Sequence, residues 1–131
     1  MAKKFTLGKN ERLKSRKRLE ELFNRGKSFS QSPVRVLYLP VAEGLQVGVG
    51  VSARHFKKAV DRNRIKRLIR EAWRLQKNPL QEILKKRESG LLVFLNYTSR
   101  EKPEYQSVFD AIRKCISKLC NIPDEKSATN T

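Results

Sequence analysis

One stretch constrains the fold more than any other. Arg54–Arg74, RHFKKAVDRNRIKRLIREAWR, carries nine Lys or Arg against two acids. Ile65, Leu68, Ile69, Ala72 and Trp73 recur at the i, i+3, i+4, i+7, i+8 spacing of a helix with one side in a core. Asn63, Arg67, Arg70 and Arg74 fall on the opposite side, flanked by Arg64 and Lys66. Such a helix must dock its apolar stripe on another element, and it then presents a wide cationic face outward. The spacing predicts a helix from Asp61 to Leu75, with the Asp61 carboxylate accepting from the Arg64 backbone N–H as an N-cap. Arg62 and Arg64 then crowd the positive end of the helix dipole. An external anion at that end would relieve the cost.

Most solvated helix faces mix charges, whereas this one carries only Glu71 among its basic residues. That pattern favours a polyanion-binding face. The whole chain agrees: its net charge is +17, and residues 1–30 hold ten Lys or Arg against three Glu. Charge on this scale speaks to partners rather than to fold. Nucleic acid leads. An anionic membrane comes second, but no lipidation motif and no basic amphipathic helix with exposed Trp and Phe supports it. No apolar run reaches transmembrane length, and MAKKFTLGKNERLK lacks a signal-peptide apolar region, so a cytoplasmic protein is expected. Cys115 and Cys120 have no metal-ligand spacing and read as two free thiols.

At 131 residues the chain is expected to form one domain over residues 1–121. Residues 1–14 read as a basic arm, and residues 122–131 as a disordered polar tail. Ser15–Arg25 reads as a short helix, capped by Ser15 and closed by Gly26, with Leu19, Leu22 and Phe23 on its apolar face. Lys27–Gln31 reads as a brief strand. Pro33–Val41 reads as a longer one, apolar on both faces, so that protein need not cover both. Ala42–Gly44 reads as a hairpin connection to the alternating strand Leu45–Ser52. Gly48 and Gly50 share one face of that strand, which implies a close approach there, from a packed helix or a ligand backbone, with the packed helix expected. After the basic helix, Asn78 caps a short helix with Pro79 at its first position. Gly90–Tyr97 is a continuous apolar run, hence a buried strand. Pro103 opens a last helix with a stripe of Tyr105, Val108, Phe109, Ile112, Ile116 and Leu119. Strand, helix, strand around the basic segment predicts a parallel pair within a mixed sheet.

Catalytic and metal-ligating residues are not evident. Thirteen acids are scattered among bases, and the one histidine, His55, has no acid near it in a repeated pattern. A nuclease working alone needs groups that hold a metal or move protons. His55 therefore reads as an RNA contact or a bystander.

The segment Arg62-Asn63-Arg64-Ile65-Lys66-Arg67-Leu68-Ile69-Arg70-Glu71-Ala72 closely resembles the RNR signature of the bacterial ribonuclease P protein component. Gly48 and Val51-Ser52 resemble that family's preceding strand. Arg12-Leu13-Lys14, followed by Leu19, Phe23 and Gly26-Lys27-Ser28, resembles its N-terminal stretch. The resemblance spans about residues 10–120. Ala53 stands where a Lys is more usual and Leu19 where an aromatic is frequent.

The resemblance implies an α+β fold: an α/β sandwich with a mixed sheet of about four strands and three main helices, ordered α-β-β-β-α-β-α. It also implies a left-handed β-α-β crossover. It further implies the protein subunit of ribonuclease P, whose partners are a catalytic RNA and precursor tRNA, with no protein partner required. The RNA subunit would carry the active site and its Mg2+, so no catalytic or metal-binding residue is expected in this chain. Arg62, Asn63, Arg64, Lys66, Arg67 and Arg70, with Arg54, Lys57 and Lys58, would bind the catalytic RNA. Arginine suits bidentate phosphate contact. The single-stranded 5′ leader would stack on exposed aromatics. Phe23 and Tyr38 lead for that role, with Leu19, Arg35, Lys27 and Phe56 beside them. A structural RNA-binding protein of ribosomal type would explain the charge equally well, but not the detailed signature.

Overall fold

The computed structural model describes residues 12–122. Most of the expected arm and nearly all of the expected tail lie outside the described residues. The order is α1 (Arg16–Arg25), β1 (Lys27–Gln31), β2 (Val34–Val41), β3 (Leu45–Val51), α2 (Ala59–Gln76), α3 (Asn78–Arg87), β4 (Gly90–Tyr97) and α4 (Tyr105–Cys120). The strands form one mixed sheet in the order β1-β2-β4-β3. β1–β2 and β2–β4 are antiparallel, and β3–β4 is parallel.

β2 and β3 are therefore not a hairpin, contrary to the local reading, because β4 lies between them. The Ala42–Gly44 link instead crosses the start of β4. Gly44 takes φ +84°, its carbonyl accepts from the Leu91 N–H at 2.8 Å, and a Cβ on Gly90 would stand 2.3 Å from the Glu43 carbonyl carbon. Only glycine fits a backbone crossing that close. Short loops look alike in sequence whether their strands pair or sit one apart.

The alternation of β2 sorts the core into two layers. Val34 and Val36 face α2, α3 and α4, together with Val93, Leu95, Ile69, Trp73 and Ile112. Leu37, Leu39 and Val41 face α1, where Leu13, Leu22 and Leu92 are buried. β4 is covered along its whole length on the α2–α4 side and by α1 over Leu92 on the other, which explains its apolar run. The apolar stripe of α2 is inside as expected: Ile65, Ile69, Ala72 and Trp73 are buried and Leu68 is half-buried. Burial of Ile65 and Ile69 contributes about 1.5–3 kcal/mol each. Gln76 ties α2 to α4, donating from Nε2 to the Phe109 carbonyl at 3.0 Å.

Helix ends hold several departures. Ser15 caps α1 as expected, its Oγ accepting from the Arg18 N–H at 3.4 Å. Gly26 closes that helix at φ −72°, so its role is not left-handed backbone. A Cβ there would stand 2.4 Å from the Leu22 carbonyl oxygen. α2 starts two residues earlier than expected, with Lys58 at the N-cap position and no side-chain cap. Asp61 is therefore a first-turn acid facing the helix dipole, not a cap. A single buried residue, Lys77, joins α2 to α3 and replaces Asn78 as the cap position. The end of the expected arm is anchored: Leu13 is buried and its N–H donates to the Val47 carbonyl at 2.9 Å. Ile122, placed in the tail by sequence, accepts from Arg87 Nη1 at 2.7 Å.

Candidate nucleic-acid interface

The outer face of α2 is built as its periodicity requires. With the apolar stripe docked, Asn63, Arg64, Arg67 and Arg70 are exposed and Lys66 is half-buried. Arg54, Lys57 and Lys58 are exposed on the connector that delivers the chain from β3 to α2. Glu71 is engaged by Arg74 one turn on. The turns from Asn63 to Arg70 thus present cations and one amide, a surface matched to phosphates.

Arg62 departs from this set. Its Nη1 donates to the carbonyls of Phe56 at 2.8 Å and Lys57 at 2.7 Å. A guanidinium spent on two backbone acceptors shapes the connector first. Its remaining N–H groups stay available to an anion. The sequence places Arg62 next to its neighbours but gives no sign that its partner is the chain itself.

The opposite face of the sheet holds a second surface. α1 covers the Leu37–Leu39 part of that face and leaves the other end open. Gly48 and Gly50 make room for one ring: a Cβ on Gly50 would lie 2.6 Å from Phe94 Cζ, and one on Gly48 3.1 Å from Phe94 Cδ1. The close approach expected from a packed helix thus comes from an aromatic on the neighbouring strand. Phe23 meets Phe94 edge to face, with centroids 5.3 Å apart, while remaining 54% exposed. Beyond Phe94 lie half-buried Asn96 and exposed Arg35, whose Nη2 donates to Ser28 Oγ at 3.3 Å. The result is an aromatic step with a guanidinium and polar groups beside it.

Of the six residues expected at the leader, the structure brings Phe23 and Arg35 to this surface. Leu19 packs behind them, against the Leu13–Leu22–Leu92 cluster. Tyr38 and Lys27 pair across β1 and β2 on the other face of the sheet, and the Tyr38 ring lies 5.9 Å from that of Phe29. Phe56 is only 7% exposed and packs on Tyr97 at 6.0 Å. A strand apolar on both faces gives no sign of which face stays open, so the sequence does not show that Tyr38 and Phe23 lie on opposite faces of the sheet. Sequence reasoning passed over Phe94, although the paired glycines on β3 were the signal for it.

The two surfaces meet at one end of the molecule. β3 ends at Val51, opposite Tyr97, next to the open Gly50–Asn96 pair. The basic connector leaves from there towards α2.

The family model for ribonuclease P matches residues 7–120. The chain belongs to the ribonuclease P protein family. Among curated relatives, the ribonuclease P protein component of Porphyromonas gingivalis is 36% identical over 124 residues, covering 91% of this chain and 90% of that one. The component from Clostridium botulinum is 32% identical, covering 84% and 95%. The fold agrees with solved ribonuclease P proteins. That of Thermotoga maritima superposes with a TM-score of 0.64 at 24% identity, over 86% of this chain and 98% of that one. That of Staphylococcus aureus gives 0.62 at 20%, over 87% and 98%. As a ribonuclease P protein, this chain is a holoenzyme subunit acting in tRNA processing. Among the described residues, no three His, Cys, Asp or Glu side chains gather as a metal site, and no helix is long and apolar enough to cross a membrane.

Proposed function

We propose that this ribonuclease P subunit divides its two surfaces between two RNAs in the cytoplasm. The exposed cations of α2 and its connector hold the catalytic RNA. The Phe23–Phe94 step, with Arg35 and Asn96, holds the 5′ leader of precursor tRNA. Magnesium and bond cleavage belong to the RNA subunit, and the described side chains offer no set that would hold the metal themselves. Leader contacts form only with precursor, so they favour precursor over mature tRNA and aid product release. The observation that carries this reading is the open aromatic step, placed at the end of the sheet from which the basic connector departs. Aromatic faces bind unpaired bases with little sequence preference, as a role on many leaders requires.

The test is precursor-tRNA cleavage at low magnesium with cognate catalytic RNA alone, protein alone and both together. Cleavage at the mature 5′ end chiefly in the mixture is expected. Cleavage by protein alone would overturn the division of labour. No enhancement in the mixture would return the chain to a structural RNA-binding role.

A further inference from the structure

A cavity of about 270 Å³ opens between the first turns of α2 and the start of α4, on the sheet side away from the Phe23–Phe94 step. Phe56, Ile65, Leu68, Pro103 and Tyr105 supply its apolar lining. Asp61, Arg64 and Lys102 supply the charged groups. Both rings are held in place: Phe56 packs on Tyr97, and Tyr105 lies 5.8 Å from Phe109. Tyr105 is nonetheless 45% exposed, so its ring is open to a ligand.

We propose that this cavity receives one unpaired guanine of the catalytic RNA. The inference rests on the α2 face docking that RNA, because exposed Arg64 belongs both to that face and to the cavity lining. The chemistry narrows the occupant. Two aromatic rings in an apolar lining suit a base, and the two cations of the lining suit its flanking phosphates. The Asp61 carboxylate only accepts hydrogen bonds, and it selects a base edge carrying donors. Guanine offers N1–H and the N2 amino group side by side, a match for two carboxylate oxygens. Adenine and cytosine each offer one amino group beside an acceptor that the carboxylate repels, and uracil offers a single N–H between two carbonyls. Preformed walls mean that little ordering accompanies entry.

The test uses the full chain, labelled for NMR, titrated with GMP, AMP, CMP, UMP or inorganic phosphate at constant ionic strength. GMP is expected to move the signals of Phe56 and Tyr105 at lower concentration than the other nucleotides. Among the cavity residues, phosphate is expected to move the signals of Arg64 and Lys102 but not those of Phe56 and Tyr105. Asp61→Asn should remove the preference for GMP while leaving the fold intact by its spectrum. Binding to the catalytic RNA should weaken about ten-fold in Tyr105→Ala, the scale of one lost base stack. The cavity assignment is overturned if GMP moves only what phosphate moves, or if Tyr105→Ala binds the RNA as tightly as wild type. The titration needs no catalytic RNA, so a silent cavity alongside stimulated cleavage rejects this inference and leaves the proposed function standing.

Discussion

The ring of Phe94 lies over Gly50 so closely that a methyl group on Gly50 would stand 2.6 Å from its Cζ. The same ring receives the edge of Phe23. Gly50→Ala must therefore push Phe94 aside and break the aromatic step. Overpacking of this kind costs about 1–3 kcal/mol. A lower urea midpoint is expected, together with weaker binding of precursor tRNA to the holoenzyme. Trimming the ring in Gly50→Ala/Phe94→Leu should recover much of the stability but not the leader affinity. A single alanine variant as stable as wild type would show that the ring has room to move.

Phe23 and Tyr38 separate by sheet face. Phe23→Ala is expected to cost precursor binding about 1–3 kcal/mol, the scale of one base–aromatic stack, with binding of mature tRNA unchanged. Tyr38→Ala removes packing against Phe29 and should cost stability, about 1–2 kcal/mol for a half-buried ring. Its discrimination between precursor and mature tRNA should be that of wild type. Measuring both tRNAs against each variant decides the matter, since selective loss in Tyr38→Ala would place the leader on the opposite face.

What the sequence made legible follows from periodicity. The stripe from Ile65 to Trp73 fixes a helix, its buried side and its cationic side together, because a helix with one docked face has no freedom in what it exposes. The unbroken run Gly90–Tyr97 likewise implied a buried strand. The order of strands was not legible, because β4 pairs with β2 across 49 to 63 residues of sequence, and nothing near Ala42–Gly44 marks the difference. At the site, side chains that spend themselves on the chain escaped notice. Arg62 bonds two carbonyls, and Phe56 fills the core, yet both look in sequence like their exposed neighbours. Phe94 escaped for the converse reason: in a strand apolar on both faces, nothing local marks one ring as open.

Arg62 and Arg67 should accordingly fail in different ways. Arg67 is exposed, so Arg67→Ala is expected to leave the unfolding midpoint unchanged and weaken binding to the catalytic RNA. Arg62→Ala removes a charged donor from the Phe56 and Lys57 carbonyls and should cost about 1–2 kcal/mol of stability, beyond any loss of RNA affinity. Wild-type affinity should fall about 10³–10⁵-fold between about 50 and 200 mM salt if six to ten phosphates are neutralised. Arg67→Ala should flatten that slope by somewhat less than one. Filter binding across a salt series, with urea unfolding in parallel, reads both effects. A flat wild-type slope would remove electrostatics as the basis of docking.

Cys115 is buried on α4, and burial pushes its thiol up to about 12 despite the opposing charge of Lys118. Burial also raises Cys120, against Arg87, and Tyr97, whose hydroxyl donates to the Glu101 carbonyl at 2.8 Å. All three shifts have the same sign. Each group holds its proton more tightly folded than unfolded, so its contribution is fully present below the unfolded value and is lost as pH rises through the folded one. For Cys115 that window runs from 9.0 to about 12. Stability is expected to be level on this account up to about pH 8 and to decline steadily above about pH 9, as the unfolded thiols ionise first. The native protein should also resist thiol alkylation at Cys115 at about pH 8, where a free cysteine reacts readily. Cys115→Ala should remove its share of the alkaline decline while costing some packing at every pH. Urea midpoints from about pH 7 to 10.5, for wild type and Cys115→Ala, distinguish the two effects. Parallel curves would mean that the buried thiol takes no part in the alkaline transition.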